Sequence, residues 1–128
     1  MVYPKNGSIH NLSIQNAVSV LQNGGLVAFP TDTLYALGAH SSLESALKKV
    51  YEVKGRPNGM ALPILVGSVL DINKIAIDIP DVTWRLIDVF WPGPLTVILN
   101  KADRISDIIS GGRHTVAIRM PNHPIALE

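Results

Sequence analysis

The sequence predicts an α/β domain with a mixed or partly parallel sheet, and two observations carry that prediction. Stretches with apolar residues at helical spacing alternate with short apolar runs of strand type, too regularly for an all-α or all-β chain. A chain of 128 residues, 47% of them hydrophobic, can also bury a core of its own, so one domain over residues 1–128 is expected.

Taken in order, Ser13 caps a first helix carrying Ile14, Ala17, Val18 and Leu21 on one face, ended by Asn23-Gly24-Gly25. Leu26–Phe29 reads as a buried strand stopped by Pro30, which cannot donate to a continuing ladder. Ser41 and Glu44 have capping-box spacing and open a helix with Leu43, Ala46, Leu47, Val50 and Tyr51 along one stripe, closing near Gly55 and Pro57. Leu62–Val66 suits a strand buried on both faces, and Ser68 with Asp71 can cap another short helix. Pro80 fits the first turn of a helix whose apolar positions include Val82, Leu86, Val89 and Phe90. Trp91-Pro92-Gly93-Pro94 breaks that helix, Leu95–Leu99 forms a third strand, and Thr115–Met120 a fourth after the turn Ser110-Gly111-Gly112. Asn122-His123-Pro124 starts a last helix that the sequence leaves after one turn, at Glu128. A one-turn helix gains little by itself, so a domain truncated at its C-terminal end is expected.

Composition removes several function classes. Eleven Lys and Arg against ten Asp and Glu leave a net charge of +1, so no global field draws nucleic acid or an anionic membrane, although a local basic patch stays open. With no cysteine there are no disulfides, thiolate metal sites or cysteine nucleophiles. The N-terminus lacks the apolar segment of a secretory signal and no later run reaches membrane-spanning length. A soluble cytoplasmic protein with no membrane partner is therefore expected. His10, His40, His114 and His123 show no metal-ligand spacing, and neither a phosphate loop nor a dinucleotide fingerprint occurs. Trp84, Phe90 and Trp91 lie on or just past one helix, where core packing accounts for them better than base stacking.

Three groups of residues could carry chemistry. Thr31, Asp32 and Thr33 gather two hydroxyls and a carboxylate at a strand end, where binding groups commonly sit; an ordinary turn held by their own backbone bonds is the alternative. Lys54 and Arg56 flank Gly55 where a helix gives way to a loop, so their charges could converge on a phosphate, carboxylate or bicarbonate, or simply solvate a helix end. Thr115 and Arg119 are four apart on a strand and face the same side. Arg119 interrupts an apolar run and needs a partner if buried: a carboxylate ligand, Asp32, or another internal acid.

Together these segments resemble the YrdC family. The resemblance rests on Phe29-Pro30-Thr31-Asp32-Thr33-Leu34-Tyr35, Lys54-Gly55-Arg56-Pro57, Leu62–Val66, Phe90-Trp91-Pro92-Gly93-Pro94-Leu95-Thr96 and Thr115–Pro124, in that order and spacing, over about Ser13–Glu128. It implies a YrdC/RibB-like twisted mixed sheet flanked by helices, incomplete at the C-terminal end. It also implies threonylcarbamoyl-AMP synthase activity, in which L-threonine, bicarbonate and ATP, with Mg²⁺ accompanying the nucleotide, give threonylcarbamoyl-adenylate and pyrophosphate for the N6-threonylcarbamoyladenosine (t6A) modification of tRNA. By position, Thr33 and Arg119 match residues that hold L-threonine. Lys54 and Arg56 match the cationic pair at bicarbonate and nucleotide and are the catalytic candidates, Arg56 and Thr115 are the nucleotide contacts, and no metal ligand is implied. Expected partners are tRNA or double-stranded RNA, other proteins of the t6A pathway, and a second copy of the chain closing the surface that an absent segment would uncover.

Three departures qualify the resemblance. Family members continue to a Ser-x-Asn motif that this sequence does not contain, Met60 stands where Lys or Asn is usual, and Ala36 replaces a glycine. Ala36 matters only if the backbone there needs positive φ. Three rivals remain: a non-catalytic RNA-binding or regulatory module, a carbamoyl-transfer enzyme of the same superfamily, and a purely structural fragment.

Overall fold

The computed structural model describes residues 7–57 and 59–128. The lead-in Met1–Asn6 and the side chain of His10 lie outside the described residues. The chain runs through α1 (Gly7–Gln22), β1 (Val27–Phe29), β2 (Ala36–Gly38), α2 (Glu44–Lys54) and β3 (Ile64–Leu65). A 3-10 turn at Val69–Asp71 leads into α3 (Ile72–Ile75), followed by β4 (Ala76–Ile77), α4 (Asp81–Phe90), β5 (Val97–Lys101), α5 (Asp107–Ser110), β6 (Thr115–Arg119) and α6 (Pro124–Leu127).

The sheet is mixed, as the sequence predicts. Its order is β3-β6-β5-β4, with β3 parallel to β6 and the other pairs antiparallel. Strict alternation along β5 and β6 sends Val97, Leu99, Val116 and Ile118 to one face, where they meet Leu47, Ile72, Ile75, Ile87, Trp91 and Ile109 from the helical layer. The opposite face carries Ile98, Asn100, Thr115, Ala117 and Arg119, exposed or half-buried. β1 and β2 form a separate antiparallel hairpin.

Several elements differ from expectation for identifiable reasons. α1 starts at Gly7, so Ser13 lies inside it and caps nothing. Of its expected face, Ile14, Ala17 and Leu21 are half-buried but Val18 is exposed. α2 starts only at Glu44, with Leu43 in the N-cap position and no side-chain cap, so the Ser41–Glu44 capping box does not form; before it, the Ser42 amide donates to His40 Nδ1 at 3.2 Å. Its stripe is as expected, with Ala46, Leu47, Val50 and Tyr51 buried. Ser68 caps the turn before α3, accepting from the Leu70 amide.

α4 reverses its predicted face: Thr83 and Ile87 are buried with the following Trp91, while Val82, Leu86, Val89 and Phe90 face outward. The β1 strand is half-exposed rather than buried, since its neighbour is one short strand and not the main sheet. Ala36 sits in β2, and among the described residues the non-glycine with positive φ is Asp78, so the missing glycine costs the backbone nothing at Ala36. No helix among the described residues is long and apolar enough to cross a membrane.

Candidate functional site

The stretch after β1 folds as a turn. The Thr31 hydroxyl accepts the amides of Thr33 and Leu34, each at 3.2 Å, and donates to the Leu34 carbonyl. That knot turns the chain back into β2, with the Thr33 hydroxyl 3.3 Å from that of Thr31, and leaves the Asp32 side chain to point out of the turn.

Both Asp32 and Thr33 meet Arg119. Being the last residue of β6 on the open face, Arg119 projects from the sheet toward the hairpin. Its Nη1 donates to Thr33 Oγ1 at 3.2 Å, its Nη2 donates to Asp32 Oδ1, and its Nε donates to the Gly93 carbonyl at 3.0 Å. Both charged side chains are only 16% exposed. Of the three partners left open for Arg119 by its spacing, the internal acid Asp32 is the one the fold supplies.

Partial burial on its own raises the Asp32 carboxyl. Its own backbone amide, the Arg119 hydrogen bond and charge, and the Asn122 amide outweigh that and hold it below the ordinary aspartate value. A depressed carboxyl stabilises the fold above the unfolded value of about 3.9, and that contribution is lost as pH falls through the lower folded value. Proton titration followed by NMR is expected to give Asp32 a midpoint below the ordinary aspartate value, and Asp32→Asn is expected to flatten the acid limb of the stability curve.

The Gly93 carbonyl is held in place from its own residue. Gly93 is buried in the break after α4, its amide donates to the Met120 carbonyl at 2.8 Å, and Trp91 Nε1 closes the same loop on Leu95 O at 2.7 Å. A Cβ at Gly93 would lie 2.4 Å from the Phe90 carbonyl oxygen. Gly93→Ala is therefore expected to cost about 1–3 kcal/mol in denaturant unfolding and to displace the acceptor of Arg119 Nε.

Lys54 is exposed on the last turn of α2, whose C-cap is the left-handed Gly55, while the Arg56 guanidinium turns inward to the Ala61 carbonyl at 3.0 Å. Arg56 Nε is buried without a hydrogen-bond partner among the described residues. Arg56 lines a cleft of about 760 Å³ with Tyr51, Glu52, Asp107 and Gly111, and Lys54 is absent from that wall. Met60 is exposed, and its carbonyl accepts from the Tyr51 hydroxyl.

Register relates the two regions. Ile64 pairs with Ile118 in parallel, so three residues back Ala61 falls toward the Thr115 end of β6, consistent with Arg113 Nη1 donating to Gly59 O at 3.0 Å. Arg56 thus belongs to the Thr115 end and Thr33 to the Arg119 end, about 13 Å apart along the strand. Thr115 and Arg119 share the open face, as their spacing predicts.

The remaining candidates are structural. His123 Nδ1 accepts the Ile125 amide and caps α6, with Pro124 in its first position as expected. His114 is exposed, Trp84 and Trp91 pack on the core, and Phe90 does not. Among the described residues no three His, Asp or Glu side chains gather as a metal site. Sequence reasoning missed Gly93 as a partner of Arg119; its only signal was the Pro-Gly-Pro break.

Comparison with known proteins places this geometry in a family. The family model for Sua5, YciO and YrdC proteins, described as telomere recombination, matches residues 19–128. The chain is 43% identical over 120 residues to the threonylcarbamoyl-AMP synthase of Pyrococcus abyssi and 40% identical over 121 residues to that of Bacillus subtilis. Each alignment covers 94% of this chain and 35% of the relative, so the chain spans about a third of their length. The crystal structure of P. abyssi Sua5 complexed with L-threonine superposes with a TM-score of 0.89 at 44% identity, over 91% of this chain and 34% of that one.

Proposed function

The chain belongs to the Sua5/YciO/YrdC family, and on that premise we propose that it forms the amino-acid and cation half of a threonylcarbamoyl-AMP synthase site. The observation that carries the reading is Arg119 on the open sheet face, bonded to Thr33 and with terminal N–H groups to spare. A semi-buried guanidinium of this kind suits the carboxylate of L-threonine, which it can grip with two parallel hydrogen bonds. A relative of this family was crystallised with L-threonine, which supports the same choice of ligand.

At the other end of β6, Arg56 and Thr115 are proposed to meet bicarbonate and the phosphates of ATP, with Lys54 brought in from the exposed end of α2. Arg56 Nε is the donor there without a partner among the described residues, which favours an anion as its complement. The reaction requires the carboxylate of threonine carbamate to attack the α-phosphorus of ATP. Two anions must be brought together, so fixed cations that offset their repulsion and the charge on departing pyrophosphate supply most of the catalysis. Mg²⁺ is proposed to arrive with the nucleotide and to neutralise its phosphates. No general base is asked of the protein once the amine is a carbamate. A single domain, a cytoplasmic location and use of the product in tRNA modification belong to the same reading.

The test is calorimetric titration with L-threonine, with L-serine as the control ligand, then with ATP, Mg²⁺ and bicarbonate present and pyrophosphate release followed. Threonine-selective binding is the expected result. A well-folded protein that binds neither amino acid would end the proposal.

A further inference from the structure

We propose that Asp32 is a positioning residue for the amino-acid site, remaining bonded to Arg119 while a ligand carboxylate is held, rather than a competitor that the ligand displaces. The inference rests on the reading of Arg119 as the carboxylate-binding group.

A guanidinium offers five N–H donors in a fixed plane. Arg119 spends one on Gly93, one on Thr33 and one on Asp32, which leaves two, one on each terminal nitrogen. Each of these can donate to a ligand carboxylate, so the count of donors allows a ligand to be received without breaking any bond seen in the fold.

Among the described residues the hairpin β1–β2 shares no ladder with the main sheet. The Asp32–Arg119 pair therefore ties the hairpin turn to the strand that bears Arg119, and Thr33 meets the same guanidinium beside it. Without the carboxylate, Arg119 would keep Gly93 and lose the group that fixes its plane, while the turn would lose its anchor.

The competing arrangement, in which Asp32 merely occupies the site until a ligand carboxylate replaces it, predicts the opposite sign. Removing a competitor tightens binding; removing a positioning group weakens it.

The experiment titrates L-threonine into the unsubstituted protein, Asp32→Ala and Asp32→Asn, and follows the Arg119 Nε–H resonance and amide exchange at Leu34 in the hairpin turn in each without ligand. Asp32→Ala is expected to weaken L-threonine at least tenfold, and Asp32→Asn, which keeps an oxygen acceptor, to recover part of the loss. Exchange at Leu34 should speed up in Asp32→Ala while Leu99 and Val116 in the core stay protected, a pattern that general destabilisation would not give. Unchanged or tighter threonine binding in Asp32→Ala overturns the proposal. Should the unsubstituted protein bind no threonine, the proposed function fails, and the ligand-free signals decide the positioning role: unchanged Leu34 exchange and an unchanged Arg119 resonance overturn it. If Asp32→Ala does not fold, the same readings are taken from Asp32→Asn.

Discussion

Arg119→Ala is expected to abolish measurable L-threonine binding. The side chain is 16% exposed, and in the proposed site it is the group that would donate to the ligand carboxylate. Truncating one member of such a charge pair costs about 2–5 kcal/mol, so a loss of at least about thirtyfold should appear in calorimetry. The substitution also leaves Asp32 without its guanidinium, which adds to the loss. Arg119→Lys should recover little, because an ammonium cannot serve Gly93, Thr33, Asp32 and a ligand at once. Thr96→Ala is the control: Thr96 is exposed between α4 and β5, and its loss should leave affinity within about twofold. Equal losses at Arg119 and Thr96 would undo the assignment of the site.

Ile118→Ala should produce the largest loss of stability. Ile118 is fully buried, pairs with Ile64 on one side and Val97 on the other, and lies at the centre of the core cluster. Removing its branched end strands a cavity between sheet and helices, at a cost of about 2–5 kcal/mol. For a domain of this size that lowers the melting temperature by roughly 10–20 °C, measurable by calorimetry or circular dichroism. Its neighbour Arg119 depends on the same strand, so threonine affinity should fall along with stability. Ile118→Val, which removes one methylene, should cost about 0.5–1.5 kcal/mol and leave the site working.

Much of this architecture was legible because its signals are periodic. The α2 stripe, the strand at Thr115–Arg119 and the shared face of Thr115 and Arg119 follow from spacings of 3.6 and 2, which survive without knowledge of neighbours. β2, β4 and α5 escaped because two to four residues carry no period, and they exist only through their pairing or packing. α4 misled because it is apolar on more than one side, and only the tertiary fold decides that Ile87 and Trp91 go inward while Val89 and Phe90 go out. At the site, the resemblance singled out Thr33 and Arg119. That Asp32 is the partner of Arg119 could be offered only as one choice of three, since spacing along a chain says nothing about contacts across 87 residues. The backbone carbonyl that accepts from the Arg56 guanidinium could not be foreseen either, because spacing along the chain does not say which loop carbonyl lies near it.

The order in which the chain acquires its parts follows from the same long-range contact. β5 and β6 are near neighbours in sequence and can pair early, whereas Thr33 reaches Arg119 only by closing a loop of 86 residues. Closure of so long a loop is slow and entropically costly until other contacts have shortened it. A partly folded chain with its central strands already zipped would therefore hold Arg119 in place and yet have no pocket. An amino-acid ligand would recognise only molecules that have finished folding, and its binding would withdraw them from the unfolding equilibrium.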